Sequence, residues 1–151
     1  MTGAPPRGLE ERLRDTRAKL ERDVDLWVAT SGFPGGVHLI PLSYLWDGTA
    51  FLVSTPRASV TGRNLLAEGR VRLSLGPTRD VVVIDGTAEP VDIADLGPET
   101  GDAFATRTGF DPRELDETYQ YFWIRPRRVQ AWREANELLG RDLMCDGRWL
   151  G

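Results

Sequence analysis

The chain has 151 residues, 40% of them hydrophobic and 28% charged; that is enough for one globular domain with its own core and too little for two ordinary ones. The balance excludes a disordered or fibrous chain, and no apolar run approaches the roughly 18–20 residues of a membrane helix. Nineteen basic residues against 23 acidic leave a net charge of −4, which argues against a whole-molecule electrostatic nucleic-acid binder.

Cys145 and His38 each occur once. An internal disulfide, a metal cluster and a histidine-based triad are therefore not expected. The N-terminal stretch lacks the apolar segment of a secretory signal, so a cytoplasmic location is expected. Eighteen of the 19 basic residues are Arg, with Lys19 the one lysine; codon bias in a GC-rich genome accounts for this, as does a role for Arg forks on phosphate or carboxylate ligands.

Residues 1–8, rich in Pro and Gly, read as a flexible leader, and 9–151 as a single domain. Leu9, Leu13, Leu20 and Val24 fall near the helical period with charges between them, predicting an amphipathic helix. Leu26–Thr30 is a short β-type run, Phe33–Gly36 a turn, and Val37–Trp46 a strand. Asp47-Gly48 then predicts a two-residue hairpin with positive φ at both positions, leading into Ala50–Ser54. A loop at Thr55–Ala58 precedes a helix over Ser59–Glu68. Arg70–Leu75 and Val81–Val91 are strands, and the continuous run Val81–Ile84 predicts coverage on both faces. Residues 94–120 are helix and loop; Tyr121–Ile124 and Arg128–Trp132 are closing strands, and Asp146-Gly147 is a final turn. The order predicts a mainly β (α+β) antiparallel barrel with peripheral helices.

The segment Ser54–Leu65 leaves a strand, turns and opens a helix, and helix N-termini present unpaired N–H groups that bind phosphate. A Ser59 cap places Gly62, not Glu or Gln, at the third helical position, so no carboxylate occupies the terminus. Thr55, Ser59 and Thr61 supply hydroxyls, and Arg57 and Arg63 supply guanidiniums. An ordinary capped helix with solvated Arg side chains has the same spacing.

With these elements in order, the chain resembles the pyridoxamine 5′-phosphate oxidase-like FMN/F420-binding split-barrel superfamily. The hairpin Val37–Ser54, the run Ser59-Val60-Thr61-Gly62-Arg63-Asn64-Leu65, the strands Arg70–Leu73 and Asp80–Gly86, and Arg127–Trp132 carry the resemblance. It implies a six-stranded split β-barrel, a homodimer with a flavin-type cofactor (F420 or FMN) in the cleft between subunits, and an oxidoreductase passing a hydride to or from a small-molecule substrate. Partners from nucleic acid or membrane are not implied. By the resemblance, Pro41, Leu42 and Ser43 line the ring, and Thr55, Arg57, Ser59, Thr61 and Arg63 hold the phosphate. Asp80 approaches from the other subunit, while Trp132 and Arg141 contact the cofactor near the C-terminus.

Two departures bear on function. Many members carry a basic Arg-Lys pair where this chain has Val60 and Thr61, so either Arg57 and Arg63 supply the charge or the anion site is weaker by about 1–3 kcal/mol. Where the true oxidases bind substrate with Arg and His, this chain has Glu137 and Leu139, which do not suit a phosphorylated substrate. Pyridoxamine phosphate is therefore not the expected substrate. The alternative to an enzyme is a non-catalytic carrier of a flavin, haem or other planar ligand. The run Arg125, Arg127, Arg128 and Arg133 alternates between strand faces and is not expected to bind single-stranded nucleic acid; one or two of these meeting the acidic tail of F420 is the alternative.

Overall fold

In the computed structural model, which describes residues 3–32 and 35–151, the first element is the expected amphipathic helix, α1 (Leu9–Arg22), burying Leu13 and Leu20. Strands β1 (Asp25–Gly32), β2 (Gly36–Ser43), β3 (Leu45–Trp46) and β4 (Phe51–Pro56) follow, then helix α2 (Val60–Ala67). Next come β5 (Arg70–Leu75), β6 (Val81–Val91), the helices α3 (Ile93–Leu96) and α4 (Pro98–Thr108), and then β7 (Tyr119–Trp132), β8 (Asp142–Cys145) and β9 (Arg148–Trp149). All pairings are antiparallel, in the order β2-β1-β5-β6-β7-β4-β3, with β8 and β9 added alongside β7.

The six long strands curl so that β2 and β4 come into contact without being hydrogen-bonded neighbours. The sheet is thus a split barrel rather than a closed one. Its interior holds Val28, Phe51, Val53, Leu73, Ile84, Phe122 and Ile124, all fully buried. A second apolar cluster, Leu52, Leu96, Phe104 and Tyr121, joins the opposite face of β4 and β7 to α3 and α4. Phe104 stacks edge-on to both Phe110 and Tyr121 at 5.6 Å, a favoured aromatic geometry.

Several expectations are corrected. The run Val37–Trp46 is two strands, because Tyr44 is buried, donating its O–H to Leu20 O at 2.8 Å and its N–H to Val24 O at 2.8 Å. The chain there passes from pairing with β1 to pairing with β4. Asp47-Gly48 is not a two-residue turn: Trp46 pairs with Phe51, and the Asp47 carboxylate accepts from the N–H groups of Thr49 and Ala50 at 2.8 and 2.7 Å. Only Gly48 has positive φ. The turn with both central residues at positive φ is Asp146-Gly147 (51° and 78°) between paired Cys145 and Arg148. Part of the expected first turn, Phe33 and Pro34, lies outside the described residues.

The two closing strands are one strand, β7, that runs through Pro126. Asp85 pairs with Arg128 and Gly86 with Pro126, so Arg127 is an extra residue in a bulge. A Cβ at Gly86 would lie 2.8 Å from Arg125 O, which explains the glycine at the closest approach. The apolar run Val81–Ile84 is covered on one face: Val82 and Ile84 are buried, Val81 and Val83 only partly. In the leader, residues 3–6 are exposed, but Arg7 is buried against Glu137, ending the loose segment earlier than the composition implied.

Candidate anion junction and outward sheet face

At the β4–α2 junction Ser59 caps the helix as its position predicted, its Oγ accepting from Gly62 N–H at 3.0 Å. The same hydroxyl donates to Pro56 O at 2.7 Å and lies 3.3 Å from Thr55 Oγ1. No acidic residue stands in the first turn of α2, and the geometry of a helix start leaves the Val60 and Thr61 N–H groups without intrahelical acceptors. A Cβ at Gly62 would lie 2.8 Å from Arg57 O, so the loop folds over the helix start only because this residue has no side chain. That role was missed; a glycine at the third position of a short helix, where it lowers helix propensity, was its signal.

Arg63 is exposed. Arg57 donates from its guanidinium to Gln120 Oε1 and from its backbone to Thr118 O at 2.9 Å. The two arginines line a cleft of about 570 Å³ with Ala58, Leu66, Glu117 and Thr118. Neither forms an ion pair among the described residues. Thr61, expected as a hydroxyl ligand, packs inward: it is fully buried and its Oγ1 has no hydrogen-bond partner among the described residues. With no exposed surface, it offers neither its hydroxyl nor its N–H to a ligand. The cleft offers two guanidiniums to a phosphate, with Glu117 as the unfavourable charge on its rim; Ser59, Val60 and Thr61 of the helix start are not among its lining residues.

The residues expected around the ring divide. Leu42 packs against the barrel core, and Ser43 donates to Asp25 Oδ1 at 2.6 Å. Pro41 is exposed and pairs with Trp27. Paired residues share a face, and the pairs Pro41–Trp27, Trp27–Ser74, Ser74–Val83 and Val83–Gln130 carry a row outward across five strands. Trp132, paired with Val81, lies on the same face. Trp27 is 50% exposed, Leu39 58% and Val37 82%, so apolar side chains cover much of the β2 end of this face.

Asp80 does not stand free to approach a ring. Its carboxylate lies 3.2 Å from Lys19 Nζ, 3.3 Å from Arg133 Nε and 4.0 Å from Arg7 Nη2. Partial burial opposes its ionisation, but the Lys19 and Arg133 hydrogen bonds and charges outweigh it and hold the pKa below the ordinary carboxylate value. Arg141 is half-buried and donates to Leu138 O at 3.3 Å. Glu137 is buried and occupied by Arg7, while Leu139 projects into solvent. Of the basic run, Arg128 pairs with Asp142 and Arg133 with Asp80 and Asp15.

Residues 14–133 match the family model described as pyridoxamine 5′-phosphate oxidase, and the chain belongs to that family. Solved structures share the fold. An FAD-binding protein from Mesorhizobium loti is 16% identical over 78% of this chain and 89% of its own, with a TM-score of 0.64. A haem storage protein from Vibrio cholerae is 16% identical over 83% and 95%, with a TM-score of 0.63. An F420 reductase is 19% identical over 75% and 94%, with a TM-score of 0.59. At such identities the likeness concerns the fold alone. No curated protein sequence matches the chain. No helix among the described residues is long and apolar enough to cross a membrane.

Proposed function

We propose that this protein is a cytoplasmic, homodimeric oxidoreductase that binds a flavin-type cofactor, F420 or FMN, and passes a hydride to or from a small organic molecule. The observation that carries the reading is the cleft beside α2, where Arg57 and Arg63 stand together without an ion-pair partner among the described residues and no carboxylate occupies the first turn of the helix. When bound, such a cofactor supplies the hydride chemistry, and the protein supplies position and shielding. Arg57, Arg63 and the N–H group of Val60 bind the phosphate; Ser59, with Thr55 beside it, fixes the loop.

The two-chain arrangement has its own support. Thr55 and the phosphate loop adjoin the Tyr119 end of β7, whereas Trp132, paired with Val81 of β6, is the last residue at the other end of this 14-residue strand. One cofactor touching both takes them from two copies. The outward face of Trp27, Val37, Leu39 and Pro41 is the surface a second copy would cover, since contiguous apolar patches of this kind mark interaction sites. Pyridoxamine phosphate is not the proposed substrate, because Glu137 is neutralised internally by Arg7 and Leu139 offers no polar group.

A carrier of haem or another planar ligand is the second reading. It is favoured by the commitment of Asp80 to Lys19 and Arg133 and by the fold shared with a haem storage protein. Titration with FMN, F420 and haem, followed by assays with enone and quinone acceptors, separates the two. Binding of FMN or F420 with turnover supports the enzyme. Tight binding without turnover over a broad acceptor panel supports the carrier. Failure of both FMN and F420 to bind below about 100 μM, roughly −5.5 kcal/mol, overturns the main reading.

A further inference from the structure

We propose that Gln120 is a positioning residue of the β4–α2 junction: its amide sets the direction in which Arg57 presents its remaining N–H groups, and thereby contributes to preference for a phosphorylated ligand over its phosphate-free counterpart. The inference rests on the reading of that junction as the anion site.

Gln120 is a buried polar side chain at the start of β7, paired with Thr55 of β4. Its Nε2 donates to Val91 O at 2.9 Å and to Tyr121 O at 3.2 Å, so both amide protons are committed. The amide orientation follows, because the reverse would set a carbonyl oxygen against Val91 O. Its Oε1 is left facing one donor, the Arg57 guanidinium. That contact uses one nitrogen of the fork and leaves the other N–H groups for an anion.

The need for such a guide lies in what surrounds Arg57. It borders two clefts: the one of about 570 Å³ shared with Arg63, and a second of about 330 Å³ lined by Val91, Asp92, Ile93 and Tyr119. Asp92 is the N-cap residue of α3, but its side chain makes no capping hydrogen bond. A long, flexible guanidinium beside that carboxylate has a competing partner away from α2, and Glu117 on the first cleft is another. Gln120 holds Arg57 without neutralising it. A carboxylate in its place would consume the charge and oppose Val91 O and Tyr121 O.

The test is equilibrium titration with FMN and riboflavin, and in parallel with F420 and the phosphate-free deazaflavin, of wild type, Gln120→Met, Arg57→Ala and the double variant. Gln120→Met is expected to weaken the phosphorylated ligand about five- to twentyfold, leaving the phosphate-free one within about twofold. The double variant is expected to be no weaker than Arg57→Ala alone. Arg57→Lys leaves β7 intact and keeps the charge but loses the fork; it should show the same selective loss, which keeps the test decisive if Gln120→Met does not fold. Equal weakening of both ligands by Gln120→Met, additivity in the double variant, or an unchanged ligand ratio in Arg57→Lys overturns the role of Gln120. If Arg57→Ala leaves the phosphorylated ligands unaffected, or wild type binds none of them, the anion-site reading itself fails and the inference with it.

Discussion

The guanidinium of Arg7 and the carboxylate of Glu137, 130 positions apart in the chain, meet in a two-point fork, Nε to Oε2 at 2.9 Å and Nη2 to Oε1 at 2.8 Å. The Arg7 N–H adds a third bond at 2.9 Å, and the Arg133 N–H a fourth at 2.8 Å. Arg12 supports the same region, donating to the carbonyls of Ala131, Glu137 and Gly140 at 3.0, 2.9 and 3.0 Å. The start of the chain is thus clamped to the segment after β7.

This clamp makes stability acid-sensitive in a defined range. The Arg7 hydrogen bonds, opposed by burial and joined by the two backbone donors, lower the Glu137 pKa from 4.5 to about 2. Because the folded-state value lies below the unfolded one, the contribution of about 3 kcal/mol is complete above pH 4.5 and is lost as pH falls toward 2. Glu137→Gln is expected to lower the unfolding free energy at pH 7 by about 3 kcal/mol, since the buried Arg7 loses its two-point carboxylate partner and keeps only Asp15 at 3.2 Å and Asp80 at 4.0 Å. It should also flatten the acid limb, as urea unfolding at a series of pH values would reveal.

Gly62→Ala tests the close packing of the junction. A methyl group there meets the Pro56 and Arg57 carbonyl oxygens, both backbone atoms that cannot move aside cheaply. A loss of about 1–3 kcal/mol is expected despite the better helix propensity of Ala, measured as a lower thermal midpoint. A gain in stability would show that the loop yields.

Arg63→Ala separates binding from folding. The side chain is exposed and unpaired among the described residues, so the thermal midpoint should be unchanged while FMN or F420 affinity falls by about 1.5–3 kcal/mol. An unchanged dissociation constant would leave Arg63 a solvated helix residue.

Leu39→Asp addresses the outward face. Leu39 and Val37 contribute nothing to the barrel interior, so a charge there should leave the monomer folded, as circular dichroism would report. Sedimentation velocity is expected to show a shift from dimer toward monomer, together with weakened cofactor binding. A stable monomer retaining full affinity would contradict a cleft shared between copies.

What the sequence disclosed and what it hid follow a physical line. Signals carried by neighbours in the chain were legible: the α1 periodicity, the Ser59 cap with Gly62 behind it, and the alternating strands. Signals that depend on pairing across the fold were not. Asp-Gly occurs at Asp47, Asp85 and Asp146; Asp85-Gly86 lies within β6, and only Asp146-Gly147 forms the tight turn, because strand pairing around the dipeptide decides what it becomes. Tyr121–Ile124 and Arg128–Trp132 read as two strands, whereas a bulge opposite Asp85 and Gly86 lets a single strand run through Pro126. The fork between Arg7 and Glu137, and the contact of Gln120 with Arg57, join distant segments and leave no local pattern. Thr61 shows the same limit from the other side: its place in a motif predicted a ligand hydroxyl, and helix packing turned it inward.

Calorimetric titration of FMN and of F420 into wild type and the Arg57→Ala/Arg63→Ala double variant tests the central claim most directly. The account predicts a wild-type dissociation constant below about 100 μM for one of the two, with a loss of about a hundredfold or more in the double variant. Equal affinities in wild type and variant, or no binding of either cofactor to wild type, would contradict it.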